Sequence, residues 1–438
     1  MRALILASLL ASSPVFAAVP LATIEQRADT LEPKVIAWRR DIHQHPELGN
    51  REVRTAALVA AHLRSLGIEV REKVGVTGVV GVLRGGKPGG VVALRADMDA
   101  LPVREATGLP FASTATGTYN GQTVPVAHAC GHDAHVAMLM GAAEMLAGMK
   151  AELPGTVVFL FQPAEEGPPP GERGGAQLMK EEGAISSPVP DAVFGIHVWP
   201  ARAGTLSWRP KGMMAEARQV KITIDGSQTH GAQPWRGIDI ISQAATTIQE
   251  VNRLTARTTD PTQFPTVLTI ATVNAGVRYN IIPDQLVMGG TMRTFDVAQR
   301  DRLMADLTKT VDAIALAYGS KAKTELTLSG PLTYNEPALA EWLQGPATEA
   351  AGAGNINPAA APVTPSEDVS VFMQAVGGVY YFLGISPDGV EVKDTPPNHS
   401  PYFTVNEKAL KVGMKAHVLS ALRFLEQKPE RTHMAQGS

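Results

Sequence analysis

Apolar residues recur along the chain at two spacings, one helical and one strand-like, from about residue 22 onward. Helical spacing covers residues 31–43, 55–66 and 134–146. Short apolar runs bounded largely by glycine, which are typical of buried strands, occupy residues 78–83, 91–96, 156–161 and 192–198. Strands that alternate with helices predict an α/β fold with a mostly parallel, buried sheet.

A different unit begins near residue 217. Its predicted elements are a strand at 219–225, a helix at 238–256, strands at 266–273 and 285–294, a helix at 298–317 and a strand at 323–328. This βαββαβ order predicts a ferredoxin-like module. The first pattern resumes after about residue 331, with a strand at 380–383 and a closing helix at 407–425. We therefore predict a catalytic domain in two parts, 18–215 and 331–427, an inserted domain at 216–330, and a polar tail at 428–438.

The N-terminus has the pattern of a secretory signal peptide, which we assign to residues 1–17. Arg2 supplies the positive charge, residues 3–11 are apolar, and Val15-Phe16-Ala17 offers small residues at a cleavage site. A buried N-terminal helix is the alternative. Later apolar runs are shorter than the roughly 20 residues of a membrane span. We expect a mature protein that begins near Ala18, is not held in the membrane, and is periplasmic or secreted.

Composition narrows the function classes. The chain has 39 basic and 42 acidic residues, a net charge of -3, which does not favour a nucleic-acid partner. Its 44% hydrophobic content excludes a disordered chain. Cys130 is the single cysteine, so no intrachain disulfide can form. A lone thiol is unusual in an exported protein, and a bound metal would explain its presence.

Three predicted strands end in residues that bind metals or move protons. Asp97 and Asp99 follow the first, Glu165 and Glu166 the second, and His197 lies in the third. In open α/β sheets, ligands bind outside the carboxyl ends of the strands, so these side chains are expected to converge. Each one alone is equally compatible with a solvated carboxylate or a core histidine.

Cys130 and His132 lie just before a predicted helix, where the helix dipole favours a thiolate. Thiolate and imidazole are ligands of zinc and similar divalent ions. The alternative is that Cys130 is a nucleophile paired with a histidine. The adjacent Glu165 and Glu166 indicate divided roles. If Glu166 binds metal, Glu165 can take a proton from water, whose pKa a metal lowers to about 7, and return it to a leaving amine.

Four segments occur in an order that resembles a known family: 39–48 (RRDIHQHPEL), 94–102 (LRADMDALP), 130–135 (CGHDAH) and 162–167 (QPAEEG). They resemble the amidohydrolase family of hippurate hydrolases, N-acyl-amino-acid amidohydrolases and indole-acetyl-amino-acid hydrolases. This family belongs to the aminoacylase/carboxypeptidase group of dinuclear metallohydrolases. The resemblance extends from about Arg39 to Phe403. It implies an α/β metallohydrolase domain with an inserted ferredoxin-like lid through which two subunits dimerise.

The resemblance also implies site residues. The implied ligands of two divalent ions, zinc or manganese with cobalt or nickel as alternatives, are Cys130, His132, Glu166, His197 and His399. Glu165 is the implied base, and Asp99 matches an aspartate that orients active-site groups. Asp97 stands where distant relatives have a metal-binding histidine, and we do not count it as a ligand. We expect His43, His45, His128 and His135 to be structural or orienting, and Glu367 and Asp368 to lie behind the site.

In the inserted domain, segment 276–283 (GVRYNIIP) resembles one whose asparagine, here Asn280, contacts substrate beside Arg278. His230 resembles a lid histidine that reaches the partner's site and stabilises the oxyanion. Many members of this family have a second lid histidine at the position where this chain has Trp235. The replacement indicates an aromatic wall near the site.

These observations favour a metal-dependent hydrolase that cleaves the amide bond of N-acyl amino acids or peptide-like conjugates. An exported metallo-carboxypeptidase or dipeptidase using the same site is the first alternative. A cysteine-nucleophile amidase and a binding protein with a dead site are two others. A binding protein with a dead site would lack a metal ligand or the base. In this chain, Glu165 and all five implied ligands are present.

The signal-peptide pattern generates a direct prediction. Mass spectrometry of the protein exported by its host should find a mature N-terminus near Ala18, because small residues precede that position. Recovery of the intact chain, with Met1, from the cytoplasm would contradict this assignment.

Overall fold

The computed structural model describes residues 19–430. The predicted signal peptide, 1–17, and residues 431–438 of the predicted tail lie outside the described residues. Within 19–430, every helix is too short or too polar to cross a bilayer.

The first part of the chain builds most of the large sheet. Its helices are α1 (Leu21–Gln44), α2 (Val53–Ser65), α3 (His132–Ala147) and α4 (Gly175–Glu181). Its strands are β1 (Glu69–Val74), β2 (Gly78–Arg84), β3 (Lys87–Asp97), β4 (Thr116–Tyr119), β5 (Gln122–Pro125), β6 (Pro154–Gln162), β7 (Ala192–Trp199), β8 (Leu206–Ser207) and β9 (Lys211–Met214).

The inserted module follows at once. It consists of β10 (Glu216–Asp225), β11 (Thr229–His230), α5 (Ile240–Thr258), β12 (Val267–Ala275), β13 (Ile281–Ile282), β14 (Gln285–Thr294), α6 (Val297–Tyr318) and β15 (Lys321–Gly330). Its four long strands form an antiparallel sheet in the order β12-β14-β10-β15. Helices α5 and α6 cover this sheet over a separate hydrophobic core. The predicted ferredoxin-like arrangement is confirmed.

The chain then returns to the first domain. The returning elements are β16 (Thr333–Asn335), α7 (Pro337–Trp342), α8 (Gln344–Ala351), β17 (Ile356–Asn357), α9 (Ser370–Val376), β18 (Gly378–Gly384) and α10 (Leu410–Glu426). Strand β16 pairs antiparallel with β9, so the chain enters and leaves the module through two neighbouring strands.

The large sheet has the order β1-β2-β6-β3-β7-β18-β8-β17. Its four central strands, β6, β3, β7 and β18, are parallel, as the buried apolar runs predicted. Alternate residues of these strands enter two different cores. One core lies against α1, α3 and α10, and the other against α4 and α9. All four central strands therefore end at the same edge of a sheet that is buried on both faces.

Several elements differ from the sequence prediction, which did not include short ones such as α4, α9, β4 and β5. Two differences have a direct physical reason. Helix α1 begins at Leu21 rather than at residue 31, because Ile24 and Ala28 continue its buried stripe toward the N-terminus. Strand β1 was not predicted, because it is a mostly exposed edge strand of polar composition without the alternation of a half-buried strand.

Helix α10 crosses α3 at a glycine. A Cβ atom built on Gly413 would lie 2.1 Å from Met138 Sδ and 2.9 Å from Leu383 Cδ2. The close approach of the two helices therefore depends on the missing side chain, and it seats α3, whose first residue is His132, against the sheet.

We predict that Gly413→Ala lowers the free energy of unfolding by about 1–3 kcal/mol, because overpacking outweighs the better helix propensity of alanine. Gly345→Ala in α8 is the matched control. Its Cβ would meet nothing within 4 Å, so stability should rise by about 0.5–1 kcal/mol. Denaturant unfolding of both variants measures the difference. A Gly413→Ala variant as stable as the control variant would contradict the packing argument.

Candidate metal centre

The carboxyl ends of the central strands place the predicted side chains side by side. Asp97 at the end of β3 is in register with Gln162 at the end of β6. His197 in β7 is in register with Phe382 in β18. The predicted convergence at this edge is therefore present in the fold, and α3 begins beside it.

The turn before α3 positions Cys130 and His132. Gly131 has φ 98°, and a Cβ there would lie 2.2 Å from Val198 Cγ2, so only glycine fits. The Sγ atom of Cys130 lies 3.4 Å from His197 Nε2. Both Cys130 and His132 are buried. This turn therefore brings a thiol and two imidazoles together away from solvent.

Both histidines are oriented through their other ring nitrogen. Nδ1 of His132 lies 2.8 Å from the carbonyl oxygen of Asp99 and 3.2 Å from its Oδ1. Nδ1 of His197 lies 2.7 Å from the carbonyl oxygen of Val198. Partners of this kind fix the tautomer and leave Nε2 as the free donor atom, which is the usual arrangement of metal-binding histidines.

The loop after β6 carries Glu165 and Glu166. The backbone N–H of Glu166 donates to Asp99 Oδ2 at 2.9 Å, so Asp99 contacts both this loop and His132. Oε1 of Glu166 lies 2.9 Å from His399 Nε2. His399 has φ 70°, a strained conformation for a residue other than glycine, and its N–H donates to the carbonyl oxygen of Ala129 at 2.7 Å.

Two sets of donor atoms share the thiol. Cys130, His132 and His197 form one set, and Cys130, Glu166 and His399 form the other, each with its donor atoms within 4.8 Å of one another. The two sets would offer ligands to two divalent cations, with Cys130 belonging to both sets. The structure thus brings together every residue that the family resemblance implied as a ligand.

Glu165 faces a second polar network behind the ligands. Its Oε1 lies 3.4 Å from the backbone N of Asp368, and its Oε2 lies 4.0 Å from His132 Nε2. Burial, together with the charges of Glu367 and Glu166, raises the pKa of Glu165 well above its usual value. The two adjacent glutamates thus occupy different environments, Glu166 beside His399 and Glu165 over this network.

Arg95 is the centre of that network. Its guanidinium donates to Asp97 Oδ2 at 2.7 Å, to Glu367 Oε1 at 2.8 Å and to Asp368 Oδ1 at 3.2 Å. It also donates to Gln162 Oε1 at 2.9 Å. Burial raises the pKa of Asp97, but Arg95 and the histidines next to it reverse this and hold that pKa well below its usual range.

Within residues 19–430, carboxyl groups outnumber arginine and lysine side chains in this buried region. Its carboxyl groups belong to Asp97, Glu165, Glu166, Glu367 and Asp368. Within residues 19–430, Arg95 is the only arginine or lysine that pairs with them. In addition, His132 Nε2 is buried without a hydrogen-bond partner. An excess of buried carboxyl groups and an unsatisfied ring nitrogen both favour bound cations, so the residues fit divalent metal ions.

The predicted residues of the inserted module lie elsewhere. His230 pairs with Ile281 in the small ribbon of β11 and β13, and its Nδ1 accepts from the N–H of Ala232 at 3.0 Å. Trp235 is 77% exposed, and Arg278 is also exposed. Asn280 has a buried Oδ1 without a partner. In the described residues, no hydrogen bond or ion pair links these four to the Cys130 cluster, and their roles remain predictions.

Arg95 and Tyr380 belong to the site but were not singled out from the sequence. Arg95 is a charged residue inside an apolar strand, and this departure from the pattern was an available signal. Tyr380 donates its hydroxyl to Glu367 Oε2 at 2.7 Å, and it carried no such signal because tyrosine is common in strands. His135 lies 2.5 Å from Asp97 Oδ1 through Nδ1, which agrees with an orienting position.

Comparison with known proteins places the chain in a family. The model of peptidase family M20/M25/M40 matches residues 93–423. Thermostable carboxypeptidase 2 of Saccharolobus solfataricus is 39% identical over 397 residues, which cover 90% of this chain and 96% of that protein. IAA-amino acid hydrolase ILR1-like 2 of Arabidopsis thaliana is 36% identical over 409 residues, covering 91% and 88%.

A solved structure agrees with these relatives. The YXEP protein of Bacillus subtilis, described as a dinuclear metal binding peptidase from the M20 family, superposes with a TM-score of 0.75. It is 32% identical, and the match covers 91% of this chain and 99% of that one. The family resemblance inferred from the motifs is confirmed: the chain belongs to peptidase family M20/M25/M40.

Proposed function

We propose that this protein hydrolyses the amide bond of N-acyl amino acids or peptide-like amino-acid conjugates, with Glu165 as the group that moves the proton. Membership of family M20/M25/M40 makes the chain a metal-dependent amide hydrolase. The observation that carries the finer proposal is the different surroundings of the two adjacent glutamates: His399 lies 2.9 Å from Glu166, whereas Glu165 lies over the Arg95 network.

The proposed metal ligands are Cys130, His132, Glu166, His197 and His399. A divalent ion, when bound, polarises a carbonyl and lowers the pKa of water toward about 7. The chain's own part begins with Cys130, which burial together with the Glu166 charge keeps in the thiol form by raising its pKa. Divalent charge would offset both effects and favour the thiolate.

Glu165 is proposed to accept a proton from the attacking water and to deliver it to the departing amine nitrogen. The contact of Oε1 with the backbone N of Asp368 leaves Oε2 directed toward the His132 side of the site. The carboxyl group can thus hold the proton at one oxygen between the two transfers.

The inserted module is proposed to complete the site. Asn280 and Arg278 would bind the polar end of the substrate, and Trp235 would form an aromatic wall. His230 lies exposed on the small ribbon of β11 and β13, and we propose that it acts in the site of a partner subunit in a homodimer, as the family resemblance implies. Export to the periplasm or the medium remains part of this proposal.

A metallo-carboxypeptidase or dipeptidase is the second candidate, favoured by the 39% identity to a thermostable carboxypeptidase. The same residues would act on a peptide bond. Parallel assays with hippurate, N-acetyl amino acids, an indole-acetyl amino acid and dipeptides separate the two functions. We expect the acyl amino acids to give the higher kcat/KM, and a preference for dipeptides would replace the first proposal with the second.

The ligand set generates a prediction about metal removal. Chelator-treated protein should lose activity and recover it with one or more of zinc, manganese, cobalt and nickel, and elemental analysis should find up to two ions per chain. Activity that survives in verified metal-free protein and disappears on alkylation of Cys130 would instead support a cysteine nucleophile.

Substitution of each glutamate tests the division of roles. Glu165→Gln should keep the bound metal and lower kcat by about 10²–10⁴-fold, because the amide keeps the size of the side chain and removes the base. Glu166→Gln should lower the metal content, because an amide is a weaker ligand than a carboxylate. Metal stoichiometry and kcat of both variants measure this. Loss of metal from Glu165→Gln with retention in Glu166→Gln would reverse the roles.

A further inference from the structure

The backbone just before Glu165 is held in an unusual conformation. Ala164 has φ 50°, in the left-handed region that residues other than glycine rarely adopt. Such a conformation persists only where surrounding contacts hold it in place. Because Ala164 directly precedes the proposed base, whatever holds this residue also sets the direction of the Glu165 side chain.

Glu52 makes that contact. It lies immediately before α2, 112 residues away in sequence, and it is fully buried. Its Oε1 accepts the backbone N–H of Ala164 at 2.8 Å, and its Oε2 accepts the hydroxyl of Thr77 at 2.5 Å. One carboxyl group therefore bridges the loop that carries Glu165 and Glu166 to the start of β2.

Asp99 holds the other side of the same loop. Its Oδ2 accepts the backbone N–H of Glu166 at 2.9 Å. The residues on either side of Glu165 are therefore both held through their backbone N–H groups. Ala164 donates to a carboxyl oxygen of Glu52, and Glu166 donates to one of Asp99. Of these two, Glu52 lies outside every segment that pointed to the metal site.

We propose that Glu52 is a positioning residue of the active site: it fixes the loop conformation from which Glu165 acts. This role rests on the proposed function of Glu165. It differs from a general contribution to stability, because the bond from Ala164 reaches the residue next to the base.

Position 52 requires a side chain of the length of glutamate, and it does not require the negative charge. No lysine, arginine or histidine forms an ion pair with Glu52 in the part of the chain that the structure describes, and burial together with Asp99 raises the pKa of Glu52 to about 8. Glutamine has the same length. It can accept from Ala164 and donate to Thr77, whereas aspartate is one methylene shorter and cannot span both partners.

The experiment compares Glu52→Gln, Glu52→Asp and Glu52→Ala in the full chain. We expect the Gln variant to retain most of the wild-type kcat. The Asp and Ala variants should lose roughly 10–100-fold in kcat, as misplacement of a catalytic group by about 1 Å does, with KM and metal content little changed. Hydrogen–deuterium exchange of the peptide that contains residues 163–167 should be faster in the Asp and Ala variants only.

Glu47→Ala is the matched control. Glu47 lies near the same helix start, and its carboxylate accepts the backbone N–H groups of Arg54 and Thr55, both at 2.8 Å. Within residues 19–430, no hydrogen bond joins this carboxylate to the Glu165 loop. Glu47→Ala should have a lower melting temperature than the wild type. Its kcat and the hydrogen–deuterium exchange of residues 163–167 should be unchanged.

The proposal is overturned if Glu52→Asp retains kcat while Glu52→Gln loses it, or if loop exchange is the same in all variants. If Glu52→Ala does not fold, the comparison of kcat between Glu52→Gln and Glu52→Asp still tests the proposal. If the wild-type protein hydrolyses none of the amides tested, the proposed function fails, and the exchange measurements still decide whether Glu52 holds the loop.

Discussion

An excess of carboxyl groups, buried at one edge of a sheet, is the constraint on which the rest of this structure depends. Carboxyl groups from three separate stretches of chain meet there around a single guanidinium, that of Arg95. Such a cluster is costly to bury unless cations and hydrogen-bond donors compensate it. The ligand geometry, the oriented histidines and the bonds to the loop backbone can all be understood as compensation for that cost.

The parallel sheet makes the cluster possible. Because its central strands end at one edge and are covered on both faces, residues far apart in sequence meet in a space that water reaches poorly. Glycine supports this at Gly195, where a Cβ would lie 2.8 Å from Tyr380 Cδ2. The tyrosine ring can then lie against the neighbouring strand, with its hydroxyl 3.3 Å from Arg95 Nη1.

The fold class and the clustering of the proposed ligands could be predicted from the sequence because their signals are local. Apolar runs mark the strands, and the residues at their ends carry the chemistry, as with Glu165 and Glu166 after β6. Glu52 and Tyr380 could not be predicted in this way. Glu52 contacts Ala164, which is 112 residues away in the chain, and Tyr380 contacts Arg95, which is 285 residues away. Only the three-dimensional arrangement shows that Glu52, a polar residue before a helix, contacts the loop that carries Glu165.

The paired strands β9 and β16 have a consequence for how the two domains can change independently. Thr333 lies opposite Met214, so the points at which the chain leaves and re-enters the catalytic domain are immediate neighbours. The whole ferredoxin-like unit therefore connects β9 to β16 in the way that a loop connects the two strands of a hairpin. Its length and surface can therefore diverge without altering the connections of the large sheet, because the cost of closing a loop grows only slowly with its length. The two units can thus change at different rates in one chain.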